Sequence, residues 1–167
     1  FILQADFILP SSREAIDRDS PWNQRLRAEV PTTFAKAVLA AKDLSKDAIE
    51  STNLWLSVLP LEGEVQDFFQ PCVKAIHSVV RSMACIPISE GNWELPIKVL
   101  TCDSSLRDIV DSRKLVERLG LSLTDPGLLQ KPLAALGVKS VGVTTILDLI
   151  TTNAYDSLKT LKPVVFW

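Results

Sequence analysis

The stretch Glu64-Val65-Gln66-Asp67-Phe68-Phe69-Gln70-Pro71-Cys72-Val73-Lys74-Ala75-Ile76-His77-Ser78-Val79-Val80-Arg81-Ser82-Met83-Ala84-Cys85 decides the fold class of this chain. Phe68, Phe69, Cys72, Val73, Ile76, Val79, Val80 and Met83 recur at helical spacing and gather into one broad apolar face. The pattern predicts a helix over 64–85, with Pro71 near its first turn or kinking it, because proline has no amide hydrogen to donate. A face this apolar must be covered by other elements.

Upstream, Ser20-Pro21 reads as a helix start: a hydroxyl to cap free amides, then proline at the first helical position. Trp22, Leu26 and Val30 share one face of that helix. Pro31 is expected to interrupt it, with a second helix restarting over 32–44 on Phe34, Ala37, Val38 and Ala41. Asn53 to Leu61, an apolar run closing on Pro60, reads as a short strand or extended linker. Phe1 to Leu9 alternates Phe1, Leu3, Ala5, Phe7 and Leu9 against a mixed face, the period of a strand. Its backbone needs a partner, within the chain or in a module before it.

Downstream, Ile86 to Ser89 and Trp93 to Thr101 flank a turn at Glu90-Gly91-Asn92 and read as a hairpin, with Pro87 and Pro96 restricting it to edge positions. Helical stripes come next from Ser104 to Gly120, then a short strand at Leu121–Leu123. A helix runs from Asp125-Pro126 to Leu136 and is ended by Gly137, with further short helices at 144–150 and 156–161. The class is α+β, predominantly helical, with one or two small sheets or hairpins.

Composition narrows the function. Among 167 residues, 47% are hydrophobic and 23% charged, which suits a packed core rather than disorder. Lys and Arg total 18 against 20 Asp and Glu, and no basic tract is present, so a nucleic-acid partner is not expected. No apolar run approaches the roughly 20 residues that span a bilayer, so no membrane partner is expected. Cys72, Cys85 and Cys102 are odd in number and widely spaced, which reads as packed, reduced thiols.

The residue types that carry chemistry do not assemble into motifs. The six glycines stand singly, without a phosphate loop or a G-x-G-x-x-G run, so no cofactor is expected in this chain. His77 is the only histidine and no C-x-x-C occurs, so no metal site is expected and His77 reads as a helix-surface residue. No G-x-S-x-G elbow accompanies it, and no catalytic residues are assigned. Leu136 to Gly142 is faintly similar to a helix-hairpin-helix DNA module, but Lys139, Ser140 and Val141 separate its glycines, and a plain helix–turn–helix connection is expected. Arg13, Arg18, Arg25 and Arg27 interleave with Glu14, Asp17, Asp19 and Glu29, a compensated surface. Trp22 faces the apolar stripe, so a core position is expected, with partner anchoring as its functional alternative.

A more specific signal lies in Phe1-Ile2-Leu3-Gln4-Ala5-Asp6-Phe7-Ile8-Leu9-Pro10-Ser11-Ser12-Arg13-Glu14 with Asp19-Ser20-Pro21-Trp22-Asn23-Gln24. Together with Pro31, Phe34, Ala37, Val58 to Val65 and Phe68-Phe69, these residues resemble the NO VEIN/sacsin-like family. The likeness continues weakly at Trp93, Lys98 to Leu100 and Leu133 to Val138. In that family a GHKL-type ATPase domain, related to heat-shock chaperones and histidine kinases, precedes this region. The resemblance implies that residues 1–14 are the exit strand and turn from such a domain. The rest would be a following middle-type region, which the residue pattern divides into a helical lobe with a hairpin over 15–102 and a C-terminal helical lobe over 103–167. Both ends of the chain are read as cut from something larger.

The function implied by the resemblance is that of a non-catalytic, middle-type region that transmits ATPase state or binds partners in a chaperone-like role. The alternative is a scaffold module without nucleotide coupling. Its implied partners are the upstream ATPase domain and a further protein, with ATP and Mg held by the parent. Arg13, on the turn after the exit strand, is the candidate γ-phosphate contact, because arginine pairs well with phosphate; its bland alternative is an ion pair with Glu14 or Asp17. Trp22 and Asn23 are the candidate partner contacts. The resemblance places the parent in the nucleus or cytoplasm and associates the plant member with auxin-dependent leaf vascular patterning.

Overall fold

Ser20 and Pro21 begin a helix as the sequence predicts: the Ser20 hydroxyl accepts from the Asn23 amide at 3.4 Å and Pro21 occupies the first turn. In a computed structural model that describes residues 2–12, 15–88, 91–102 and 120–142, this helix, α1, spans Pro21–Ala41. It does not break at Pro31. A proline there leaves the Arg27 carbonyl, four residues back, without its ladder amide. The Cys72 thiol from a neighbouring helix donates to that carbonyl at 3.6 Å. The expected interruption is therefore bridged by tertiary packing, with Val30, Pro31, Phe34, Val38 and Ala41 all buried.

A second correction concerns residues 48–56. The run from Asn53 to Leu61 expected as a strand or linker begins inside helix α2, Ala48–Leu56, which takes its first four residues. Asp47 caps it, its carboxylate accepting from the amides of Ile49 at 2.8 Å and Glu50 at 3.4 Å. Asn53 then ties α2 to a distant turn: its side chain donates to Gly127 O and accepts from Leu129 N, both at 2.9 Å. The helix expected over 64–85 is shorter. A single 3-10 turn, Asp67–Phe69, leads into α3, Gln70–Arg81, with Pro71 in its first turn as expected.

The hairpin is also smaller than expected. Strands β1 (Ile86–Pro87) and β2 (Trp93–Glu94) pair antiparallel around Gly91, whose φ is 75°. A 3-10 turn at Pro96–Lys98 then diverts the chain into β3, Val99–Cys102, which belongs to a different sheet. There β3 lies between β4 (Ser122–Leu123) and β5 (Lys139–Val141), parallel to both. Helix α4, Gln130–Ala135, connects β4 to β5. The helix thus starts later than Asp125-Pro126, which form a turn in which Asp125 Oδ1 accepts from Gly127 N at 2.8 Å.

Gly137 ends α4 as predicted, with φ 85°. Its amide reaches Ala134 O at 2.9 Å and the Val138 amide reaches Leu133 O at 3.0 Å, the paired bonds of a glycine C-cap. The chain then enters strand β5, not the second half of a helix–turn–helix connection. The two sheets meet where Thr124 Oγ1 donates to Pro87 O at 2.6 Å.

The principal core joins α1, α2 and α3 to β1 and α4 through Val38, Leu56, Ile76, Val80, Ile86 and Leu133, each at most 1% exposed. Each such side chain contributes about 1.5–3 kcal/mol by leaving water. The fold is α+β. The helical stripes read at 104–120, 144–150 and 156–161 lie largely or wholly outside the described residues, as does most of the lobe assigned to 103–167.

Candidate functional site

Residues 2–9 carry the strand-like alternation, yet among the described residues they form no ladder. A side chain takes the place of the missing strand. Asn23, in the first turns of α1 and 0% exposed, accepts from the Ile8 amide and donates to the Ile8 carbonyl, both at 2.8 Å. A primary amide offers the same donor and acceptor as a backbone peptide, so it pairs with Ile8 as a strand residue would. The other hydrogen of the same nitrogen goes to Asp17 O at 2.8 Å, and Asp17 N reaches Ile8 O at 3.2 Å. One amide therefore knots three points of the chain. Trp22 adds a second tie, its Nε1 donating to Asp6 O at 2.9 Å.

Just before this knot, Phe7 is edge-on to both Phe68 and Phe69, with ring centroids 6.5 and 5.6 Å away. Phe68 and Phe69 are themselves T-shaped at 5.1 Å, the geometry the ring quadrupole favours. Arg27 stacks over Phe68 at 4.6 Å and donates to its carbonyl at 3.1 Å, so this guanidinium is structural rather than part of a free charged face. Beneath Leu3 and Phe7 lies a cavity of about 550 Å³, walled further by Val30, Leu59, Phe69, Val73 and Ile76. Each polar side chain in its lining makes a hydrogen bond to the backbone. Ser57 Oγ donates to Leu54 O, Glu64 accepts from Leu61 N, and Cys72 donates to Arg27 O.

Cys72 is buried at the floor of this cavity. Desolvation pushes its thiol pKa up, against a smaller lowering by the Arg27 charge. Cys85, with no exposed surface, is pushed up to about 12 by burial, which outweighs the pull of Lys42 and a backbone hydrogen bond. Neither thiol is poised as a nucleophile. His77 departs from its expected surface position: it is 5% exposed and its Nε2 lies 2.8 Å from Pro60 O, fixing the 57–61 segment against α3.

Of the candidate site residues, Arg13 and Glu14 lie outside the described residues. Trp22 is 49% exposed, so the core position expected for it is not observed. Its indole nitrogen reaches across to the N-terminal segment, which draws the ring out of the apolar stripe. Asn23 is not at the surface where a partner would meet it; it is an internal clamp. Among the described residues there is no group of three or more His, Cys, Asp or Glu that could hold a metal ion, and no helix long and apolar enough to cross a membrane. The clamp escapes a reading of the residues because an asparagine two positions after a helix-starting proline looks like part of the cap. Only the strand-like run at 2–9, in need of a partner, signals it.

The molecule is thus an α+β unit whose preceding extended segment is held on its first helix by side-chain amide pairing. Its sequence is similar to Protein NO VEIN of Arabidopsis thaliana, at 34% identity over 166 residues covering 94% of this chain. The chain spans only 6% of that relative's length. No family model matches the sequence, and no solved structure matches it.

Proposed function

We propose that this unit is a non-catalytic, middle-type region of a NO VEIN-like regulatory protein that relays the state of a preceding nucleotide-binding module. The supporting observation is the Asn23 clamp: a displacement of residues 2–9 pulls directly on the first turns of α1 through two hydrogen bonds between Ile8 and Asn23 and a third from Trp22 to Asp6 O. Through α1 the pull reaches α3 and the core. In this reading the preceding module is GHKL-type, binds ATP with Mg, and lies in a protein of the nucleus or cytoplasm. Arg13, only five residues beyond Ile8, is proposed to contact the γ-phosphate of that module.

Hydrogen exchange at residues 10–30 in the full-length protein, with and without ATP, tests the relay. The expected result is nucleotide-dependent protection there and slower ATP turnover for Arg13→Ala. Unchanged exchange and unchanged turnover refute it. A second reading, a scaffold that binds a protein partner without nucleotide coupling, draws on the half-exposed Ile8, Leu9 and Trp22 beside the clamp. Partner capture that is lost in Trp22→Ala and indifferent to ATP would favour that reading.

A further inference from the structure

We propose that residues 2–7 are a strap, hinged at Ile8, that walls one side of the apolar cavity between α1, α3 and the 57–65 segment and uncovers it when lifted. The division of contacts along the segment carries this. At the hinge, Ile8 is fixed by backbone-type hydrogen bonds to a wholly buried amide. Beyond the hinge, Trp22 holds Asp6 through one bond on the exposed side, and Phe7 rests edge-on against two rings. Beyond that, Ile2 is 96% exposed and only Leu3 lines the cavity. Contact strength therefore falls steeply from Ile8 toward the start of the segment, the gradient that lets part of a chain open while the remainder stays folded.

The seat itself favours an occupant such as the strap. Its lining is mostly apolar, with Val30, Leu59, Val65, Phe69, Val73 and Ile76 around the bonded thiol of Cys72, which suits an apolar cover. Leu3 and Phe7 of the chain's own segment meet that requirement and form one wall. The Phe7 latch also closes on Phe68, which Arg27 grips from α1, so release of Phe7 frees a ring tied to the same turn that carries the Cys72 contact. The device goes beyond the nucleotide relay and stands without it, because every contact that makes it lies within this chain.

Cys72 at the cavity floor and Cys85 in the principal core provide internal reporters. The wild-type chain is labelled with N-ethylmaleimide near pH 8, at rising urea below the unfolding transition, and each cysteine is quantified by peptide mass. The expected result is Cys72 labelling that is nearly independent of urea, since a short strap exposes little surface, while Cys85 labelling rises steeply with global unfolding. Phe7→Ala is expected to speed Cys72 labelling about tenfold, from loss of the aromatic contacts, while Cys72 stays nearly independent of urea and Cys85 keeps its steep urea dependence. Cys72 and Cys85 rates that rise in parallel through the urea series overturn the strap, as does an unchanged Cys72 rate in a folded Phe7→Ala chain. Should Phe7→Ala fail to fold, the wild-type series decides alone.

Discussion

Replacing Asn23 by alanine removes a side chain that occupies no exposed surface and makes three hydrogen bonds of 2.8 Å to Ile8 N, Ile8 O and Asp17 O. Each bond contributes about 1 kcal/mol net, so the expected loss is about 3 kcal/mol. For a urea dependence of about 2 kcal/mol per molar, the unfolding midpoint should fall by about 1.5 M. Asn23→Asp is the sharper test because it keeps the shape. Its carboxylate still accepts from Ile8 N, but it offers no donor to the two carbonyl oxygens it faces. Desolvation and those oxygens raise the folded-state pKa of the introduced carboxyl above its unfolded value of about 3.9. A raised folded pKa means the native state is least penalised below the unfolded pKa and loses stability as pH rises through the folded one. Equilibrium unfolding from pH ~3 to ~7 should therefore show the deficit of Asn23→Asp relative to wild type growing with pH. A loss under about 0.5 kcal/mol for Asn23→Ala, or a deficit in Asn23→Asp that ignores pH, would refute the clamp.

Pro31→Ala restores an amide to the Arg27 carbonyl and is expected to raise the thermal midpoint. The propensity gain of about 3 kcal/mol exceeds the packing lost with the buried ring, and a double-mutant cycle with Cys72→Ala should show coupling. Stability should fall from pH 9 toward about 12 as Cys85, raised from an ordinary value of 9.0 to about 12 in the folded chain, ionises first in the unfolded one. Cys85→Ala should flatten that decline relative to wild type, and alkaline urea titrations of both chains measure it. Trp22→Phe should cost about 1 kcal/mol by loss of the bond to Asp6 O, and calorimetry would show it as a small drop in midpoint.

Much of the helical architecture is legible in the residues because it depends on local chemistry. Ser20-Pro21, the apolar face from Phe68 to Val80, and Gly137 each carry a signal within one or two turns. The readings that fail depend on remote contacts or on a local signal outweighed by a neighbouring one. Pro31 reads as a breaker until Cys72, far along the chain, is seen to fill the vacant carbonyl. Helix α2 carries its own cap at Asp47, but the apolar run ending at Pro60 suggests extension instead. The parallel sheet uses strands of two to four residues, too short for a period to show, and its pairing of β3 with β4 and β5 is set by distant segments.

The candidate site is the least legible part. The strand-like alternation of residues 2–9 is visible, and so is its need for a partner. That the partner is the amide of Asn23 is not, since a side chain that imitates a peptide group leaves no periodic trace. Trp22 and Asn23 both stand out in the sequence, but in reversed roles: the tryptophan is half outside and the asparagine wholly inside.

Everything proposed for the N-terminal segment requires that it be bonded to α1 by that amide. Backbone amide exchange at single-residue resolution in the wild-type chain tests this most directly. The Ile8 hydrogen should be strongly protected and should exchange at a rate that tracks the opening of Asn23, while Leu9 beside it exchanges freely. An Ile8 amide that exchanges as fast as an unstructured peptide would contradict the account.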